Sequence, residues 1–206
     1  MIEQTVLVVD DDDAVRDSIK ELVESVGLKA QTFASAQSFL ESYTTDQAGC
    51  LVLDVRMARM SGLTLQAKLK EMGADLPIIF ITGHGDIDMA VQVMKVGAVD
   101  LIQKPYHEQN LLDSINDALE IDVEKRGASR KQGALEKQIA SLTEREREVM
   151  DLLAGGHTNK AVAEQLGISP RTVEVHRQRV LEKCEVKSVP QLIRLLTQTD
   201  TSTVGA

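Results

Sequence analysis

Five short β-rich runs recur along the first 121 residues: Thr5–Val9, Lys29–Phe33, Cys50–Leu53, Ile78–Ile81 and Val99–Gln103. Between them lie segments whose apolar residues repeat at helical spacing, such as Val15, Ile19, Leu22, Val23 and Val26, and later Met89, Ala90, Val93, Met94 and Val96. Gly27 and Gly97 suit helix ends, and Ser35 and Ser61 suit helix N-caps. Strands that alternate with helices need long crossovers, so the sheet should be parallel and covered on both faces. The expected fold is a doubly wound α/β domain of five strands.

The chain then changes character. Glu124–Gln138 is polar, carries two glycines and has no core face of its own. It reads either as a flexible linker or as a solvated helix continuing from Leu111–Leu119. Beyond it, residues 141–197 show only helical periodicity, broken at Gly155–Gly156, at Gly167–Pro170 and at Ser188–Pro190. Four short helices fit there, as a small all-α domain. The boundaries read as 1–121, a linker over 122–140, the helical domain over 141–198, and a frayed tail over 199–206.

Charge divides along the same line. Residues 1–121 carry nine Lys+Arg against twenty Asp+Glu, whereas residues 122–206 carry fourteen against twelve. The first part should repel nucleic acid and the second should tolerate it. The chain has no apolar run of 18 residues and no basic-then-apolar N-terminus, so neither a membrane span nor a signal peptide is expected, and the compartment reads as cytoplasmic. Cys50 and Cys184 lie in separate apolar elements and form no CxxC, which suits two reduced core thiols.

The strand ends are chemically unusual. VLVVDDDDAV joins an apolar strand to four successive carboxylates, Asp10 to Asp13. Two unit charges about 4 Å apart repel by ~4 kcal/mol at an effective dielectric near 20, so a loop without function has no use for the cluster. The third strand ends in Asp54, the fourth in Thr82 and the fifth in Lys104–Pro105. Ligands of doubly wound sheets sit beyond these carboxyl ends, where three carboxylates, a hydroxyl and an ammonium would converge. Mg²⁺ held by such carboxylates neutralises the cluster and bridges to a phosphoryl group, with one carboxylate left as nucleophile and the hydroxyl and ammonium as clamps. Lys104–Pro105 also admits a cis peptide.

VVDD, LDVRM, ITGH and QKP at these strand ends resemble the receiver domain of two-component response regulators over nearly all of residues 1–121. The resemblance implies a CheY-like fold with Asp54 as phospho-acceptor from a sensor histidine kinase. It further implies Mg²⁺ on Asp10, Asp11, Asp54 and the backbone carbonyl of Arg56, with Thr82 and Lys104 sensing the phosphoryl group. Asp12 and Asp13 fall outside the pattern and suit a helix N-terminus. Ala58 stands where the family usually has proline, Arg59 replaces a small residue, and Leu101 occupies the position of a switching aromatic. Arg56 and His84 lie where the family tunes attack by water, and their bulk is expected to slow dephosphorylation. Val91, Lys95, Asp100 and Leu101 lie on the face that moves and are expected to form a two-fold dimer interface.

In the helical part, Thr143 and Glu146 form a capping-box pair, and Asn159–Leu166 followed by Pro170–Cys184 reads as helix, tight turn, helix. LTERE, GGHTNKAVAEQLGIS and RTVEVHR resemble the LuxR-type helix-turn-helix across all four helices. The resemblance implies that Thr172, Glu174, Val175, Arg177 and Gln178 face the major groove of promoter DNA, while Asn159, Lys160 and Arg171 contact its backbone. Glu174 would accept from cytosine N4, and Val175 would touch a thymine methyl.

Receiver followed by this helical domain is the architecture of the NarL/FixJ family. DVRM, TGHGD and SPRTVEVHR are similar to its FixJ-like branch, which includes styrene- and toluene-pathway regulators. The implied function is a phosphorylation-switched transcription factor that dimerises on promoter DNA and meets RNA polymerase; its receiver would catalyse only its own phosphorylation and dephosphorylation. Two alternatives remain. DxDxxV at Asp10–Val15 is similar to haloacid-dehalogenase-type phosphatases, with Asp10 as nucleophile, and a constitutive DNA binder could carry a silent receiver.

Overall fold

The computed structural model describes residues 4–83 and 87–200. The chain divides into two compact units, residues 1–126 and 127–206.

In the first unit the strands β1 (Thr5–Val9), β2 (Lys29–Phe33), β3 (Gly49–Asp54), β4 (Ile78–Thr82) and β5 (Asp100–Gln103) form one sheet in the order β2-β1-β3-β4-β5. Every pairing is parallel. Helices α1 (Asp13–Ser25), α2 (Ala36–Ser42), α3 (Gly62–Glu71), α4 (Ile87–Lys95) and α5 (Glu108–Ala140) alternate with them. The strand period of two sends alternate side chains to opposite faces. Leu7, Val9, Leu51, Leu53 and Phe80 meet Phe39 of α2, Leu65 and Leu69 of α3, and Val93 of α4. Val6, Val8, Val52, Ile79 and Ile81 meet Ile19 and Val23 of α1 and Leu111 and Ile115 of α5. The doubly wound sheet covered on both faces is therefore as expected.

Local chemistry sets the helix ends. Ser35 and Ser61 are the N-caps of α2 and α3, accepting from the amides of Ser38 and Thr64. Asp12 is the N-cap of α1 and Asp13 its first residue, beside the positive end of the helix dipole. Gly27 and Gly97 follow α1 and α4 at φ 81° and 87°. Arg59, in the β3–α3 loop, adopts φ 68° without being glycine.

Of the two readings of Glu124–Gln138, the structure has the helical one. α5 runs unbroken through Gly127 and Gly133 to Ala140. Asp122, near the end of its stretch in the first unit, is buried and accepts from Gly49 N at 3.0 Å and Arg126 Nε at 2.7 Å. Arg126 also donates to the carbonyls of Asp46 and Gln47, so this ion pair fastens the helix to the start of β3.

The second unit contains α6 (Glu144–Ala154), α7 (Asn159–Leu166), α8 (Pro170–Lys183) and α9 (Val189–Asp200). Val149, Leu153, Val162, Ala163 and Val173 make one core cluster, and Leu142, Met150, Val180, Cys184 and Leu192 another. Between α7 and α8, Gly167 takes the left-handed conformation at φ 66°, and Ser169 caps α8 with Pro170 at its first position. Both cysteines are buried and free, and burial with the Asp122 charge pushes the Cys50 thiol up to about 12. Among the described residues no helix is long and apolar enough to cross a membrane. The expected tail begins at residue 199, but Thr199 and Asp200 belong to α9, and residues 201–206 lie outside the described residues.

Candidate functional site

Strand register builds the acidic site. Val9 pairs with Leu53, so Asp10 and Asp54 follow side by side just beyond them, at the point where the winding of the sheet reverses. Thr82 pairs with Gln103, so Lys104 emerges next to them. Its ammonium donates to Asp10 Oδ2 at 2.7 Å and to Asp54 Oδ1 at 2.8 Å. Residues 94 and 50 positions apart thus share one cation. The Lys104–Pro105 bond is cis, and Lys104 N donates to the Thr82 carbonyl at 2.8 Å.

The carboxylates are further held by backbone amides. Asp54 Oδ2 accepts from Arg56 N at 2.7 Å, and Asp10 Oδ1 from Asp12 N at 2.9 Å. Asp11 Oδ2 accepts from Ala58 N at 2.9 Å, which ties the β1 end to the β3–α3 loop. Burial pushes the Asp54 carboxyl above its ordinary value; the hydrogen bond and charge of Lys104 pull it back, while the Asp10 charge adds to the rise. Burial would lower the Lys104 ammonium, but its bonds to Asp10 and Asp54 outweigh that and leave it raised. Asp54 is 7% exposed and Asp10 only 2%. Gly62, at the start of α3, passes so close to the end of β3 that a Cβ there would meet the Asp54 carbonyl oxygen at 2.4 Å.

Thr82 is buried at the same rim, and its hydroxyl approaches Met89 Sδ of α4 at 3.8 Å. Two neighbours escaped the sequence reading: Met89 as a contact of Thr82, and Arg16, which donates to the Asp10 carbonyl at 2.7 Å. The spacing from Asp10 to Arg16, one turn into α1, is the only trace of that contact in the sequence. Arg56 is exposed; His84 lies outside the described residues. Among the described residues no three His, Cys, Asp or Glu side chains are placed so that together they could hold a metal ion.

Of the expected dimer face, Val91 and Lys95 are exposed. Asp100 and Leu101 are half-buried: the Asp100 carboxylate accepts from Ser114 Oγ of α5 at 2.6 Å, and Leu101 packs against the sheet core.

In the second unit, the Thr143–Glu146 capping box is present, with Thr143 N donating to Glu146 Oε2 at 2.9 Å. Lys183 donates to the same oxygen at 2.6 Å, and together these hold the Glu146 carboxyl down to about 2. On α8, Arg171, Thr172, Glu174, Val175 and Gln178 are exposed and Arg177 is half-buried. Lys160 is exposed and Asn159 half-buried at the start of α7. Asn159 Nδ2 donates to Glu174 Oε2 at 2.6 Å, and Arg177 Nη1 reaches both Glu174 oxygens at 3.2 Å.

The profile of the response regulator receiver domain matches residues 6–116. The chain belongs to the response regulator family. A second profile, bacterial regulatory proteins of the luxR family, matches residues 140–196 of this response regulator. The response regulator protein TodT of Pseudomonas putida is 43% identical over 190 residues, covering 92% of this chain and 84% of its own. The transcriptional regulatory protein FixJ of Azorhizobium caulinodans is 42% identical, covering 91% and 89%. The solved structure of the response regulator StyR superposes with a TM-score of 0.88 at 44% identity, covering 96% of this chain and all of that one. This response regulator therefore joins a receiver to a LuxR-type DNA-binding domain, like its relatives among transcriptional regulators. A receiver implies a kinase as partner, and a LuxR-type domain implies DNA.

Proposed function

We propose that this response regulator takes a phosphoryl group on Asp54 from a sensor histidine kinase and thereby controls its binding to promoter DNA. The observation that carries the reading is the pair of buried carboxylates, Asp10 and Asp54, drawn together on one Lys104 ammonium at the strand ends. An Asp54 oxygen attacks phosphorus, the P–N bond to the kinase histidine breaks, and its electron pair stays on the imidazole nitrogen. The receiver itself promotes this transfer and the later hydrolysis.

The donor set fits Mg²⁺. Asp10, Asp11, Asp54 and the backbone carbonyl of Arg56 offer only hard oxygens, and Mg²⁺ needs one or two carboxylates with waters rather than a closed cage. The ion would neutralise the carboxylates and the phosphoryl oxygens. Lys104 already serves both carboxylates and would follow the new negative charge, with Thr82 donating its hydroxyl. Both sense phosphorylation and bias α4 and β5, where Val91, Lys95, Asp100 and Leu101 form the surface for a second copy. Moving that equilibrium from 1:99 to 99:1 requires ~5.5 kcal/mol of preference. A dimer would set two α8 helices on paired half-sites, with Thr172, Glu174, Val175, Arg177 and Gln178 toward the groove and Asn159, Lys160 and Arg171 toward phosphates. RNA polymerase is then the downstream partner and the cytoplasm the compartment.

Incubation with acetyl phosphate and Mg²⁺, followed by mapping of the acyl phosphate, tests the reading. Label on Asp54, lost in Asp54→Asn, is expected; label on Asp10 instead would favour a phosphatase-type nucleophile. Operator binding of the wild-type chain unchanged by labelling would leave the receiver silent and overturn the switch.

A further inference from the structure

Three groups expected to meet DNA are occupied with one another. Glu174, on the exposed face of α8, takes a short hydrogen bond of 2.6 Å from Asn159, the first residue of α7. It also neutralises Arg177 one turn along α8. The two links differ in quality. Charge-assisted N–H···O⁻ bonds run near 2.7–2.9 Å, so the Asn159 bond is tight, whereas the Arg177 contacts, made through Nη1 alone at 3.2 Å, are long. Arg177 Nε is buried and has no hydrogen-bond partner among the described residues. The guanidinium is thus only partly satisfied and held loosely by an exposed carboxylate.

A major groove offers that carboxylate two kinds of edge. Cytosine N4 and adenine N6 carry amino donors, whereas guanine N7 and O6 and thymine O4 present only acceptors. A carboxylate facing acceptors is repelled and keeps its internal partners. Facing an amino group, it gains a new donor and gives up the weaker of its two links, which is Arg177. The freed guanidinium then has DNA within reach.

We propose that Glu174 is a specificity residue that restrains Arg177 on unrelated DNA and releases it where a base presents an amino group to the carboxylate. This rests on the DNA-binding reading above and goes beyond listing Glu174 as a base contact: its main effect is to weaken binding to wrong sequences.

The test is a double-mutant cycle in the full-length chain, with Glu174→Gln, Arg177→Gln and both together. The probes are a random-sequence duplex and a duplex recovered by iterative selection on the acetyl-phosphate-treated wild type. Glu174→Gln is expected to tighten random-duplex binding about threefold to tenfold at 0.1 M salt and to steepen the slope of log K against log salt by about 1, one extra phosphate contact. Its selected-to-random ratio should fall at least tenfold, as for loss of one base-pair preference. In the Arg177→Gln background the gain on random duplex should vanish, because the cation it released is gone. An equal gain with and without Arg177 would mean simple charge removal and would refute the gate. So would unchanged random-duplex affinity in Glu174→Gln. A wild-type chain that shows no sequence preference would refute the DNA-reading assignment and this inference together, whereas selectivity without coupling refutes this inference alone.

Discussion

Replacing Glu146 by Gln removes one charge and little else. Gln is the other residue that serves the third position of a capping box, so the bond to Thr143 N survives the change. What is lost is the counter-charge to Lys183, which donates to Glu146 Oε2 at 2.6 Å and to the Ser141 carbonyl at 3.0 Å. The carboxyl is held at about 2 against an ordinary 4.5, chiefly by the Lys183 hydrogen bond and then by the Thr143 amide. At 1.36 kcal/mol per pKa unit this sets a ceiling of about 3 kcal/mol. The Lys183 side chain is 36% exposed, so solvent screening reduces the realised amount to about 1–2 kcal/mol. The sign is that of a depressed acid: the stabilisation is complete above pH 4.5 and fades as pH falls through 2.

The receiver and the helical unit can be followed separately, because the chain has no tryptophan and both tyrosines, Tyr43 and Tyr106, lie in the receiver. Urea unfolding at pH 7 should show the tyrosine near-UV signal unmoved in Glu146→Gln. The remaining far-UV helical transition should shift down by about 1–2 M, given a slope near 1 kcal/mol per M for a small domain. A ¹³C titration of the wild-type Glu146 carboxyl should find its midpoint near 2. A midpoint at the ordinary value of 4.5, or a helical transition unmoved by the substitution, would refute the argument.

Arg59→Gly should stabilise the receiver by about 0.5–1 kcal/mol in urea, because Arg59 holds a left-handed φ of 68° whose cost of roughly 1–2 kcal/mol exceeds the added chain entropy of glycine. Gly62→Ala should lower receiver stability by about 2 kcal/mol and slow labelling by acetyl phosphate, since the new Cβ would press on the Asp54 carbonyl at 2.4 Å; a change under about 0.5 kcal/mol would mean that α3 shifts freely. Asp122→Asn should cost about 2 kcal/mol by leaving Arg126 without its counter-ion, and hydrogen exchange should rise in α5 around Asp122 and at the Gly49 amide.

Much of this was legible in the sequence because the local and global signals agree. Strand ends, helix caps and the Gly167–Ser169–Pro170 turn depend on neighbours a few residues away, and the structure has them where the patterns put them. The convergence of Asp10, Asp54 and Lys104 was readable only because parallel register brings strand ends together. The extent of α5 was not readable: Gly127 and Gly133 each cost a helix about 1 kcal/mol, and the polar stretch offers no apolar stripe to outweigh them. Contacts such as Gly49 to Asp122 or Lys183 to Glu146 join residues 73 and 37 apart and leave no periodic trace.

Asp54 and Glu146 show why residue type alone does not fix chemistry. Both are buried carboxylates, and each meets one lysine within 3 Å. Yet one is pushed up and the other held down to about 2. The difference lies first in burial, which dominates at Asp54 but ranks behind the Lys183 and Thr143 bonds at Glu146, and then in how the cation is shared. Lys183 serves Glu146 as its only carboxylate partner among the described residues, and the other bond it makes is to a neutral carbonyl. Lys104 is divided between Asp54 and Asp10, and the like charge of Asp10 adds to the rise at Asp54. At Glu146 the unshared lysine favours the charged form, although the cap itself needs only an acceptor oxygen. At Asp54 the divided lysine sets one positive charge against two carboxylates, so part of their negative charge stays uncompensated.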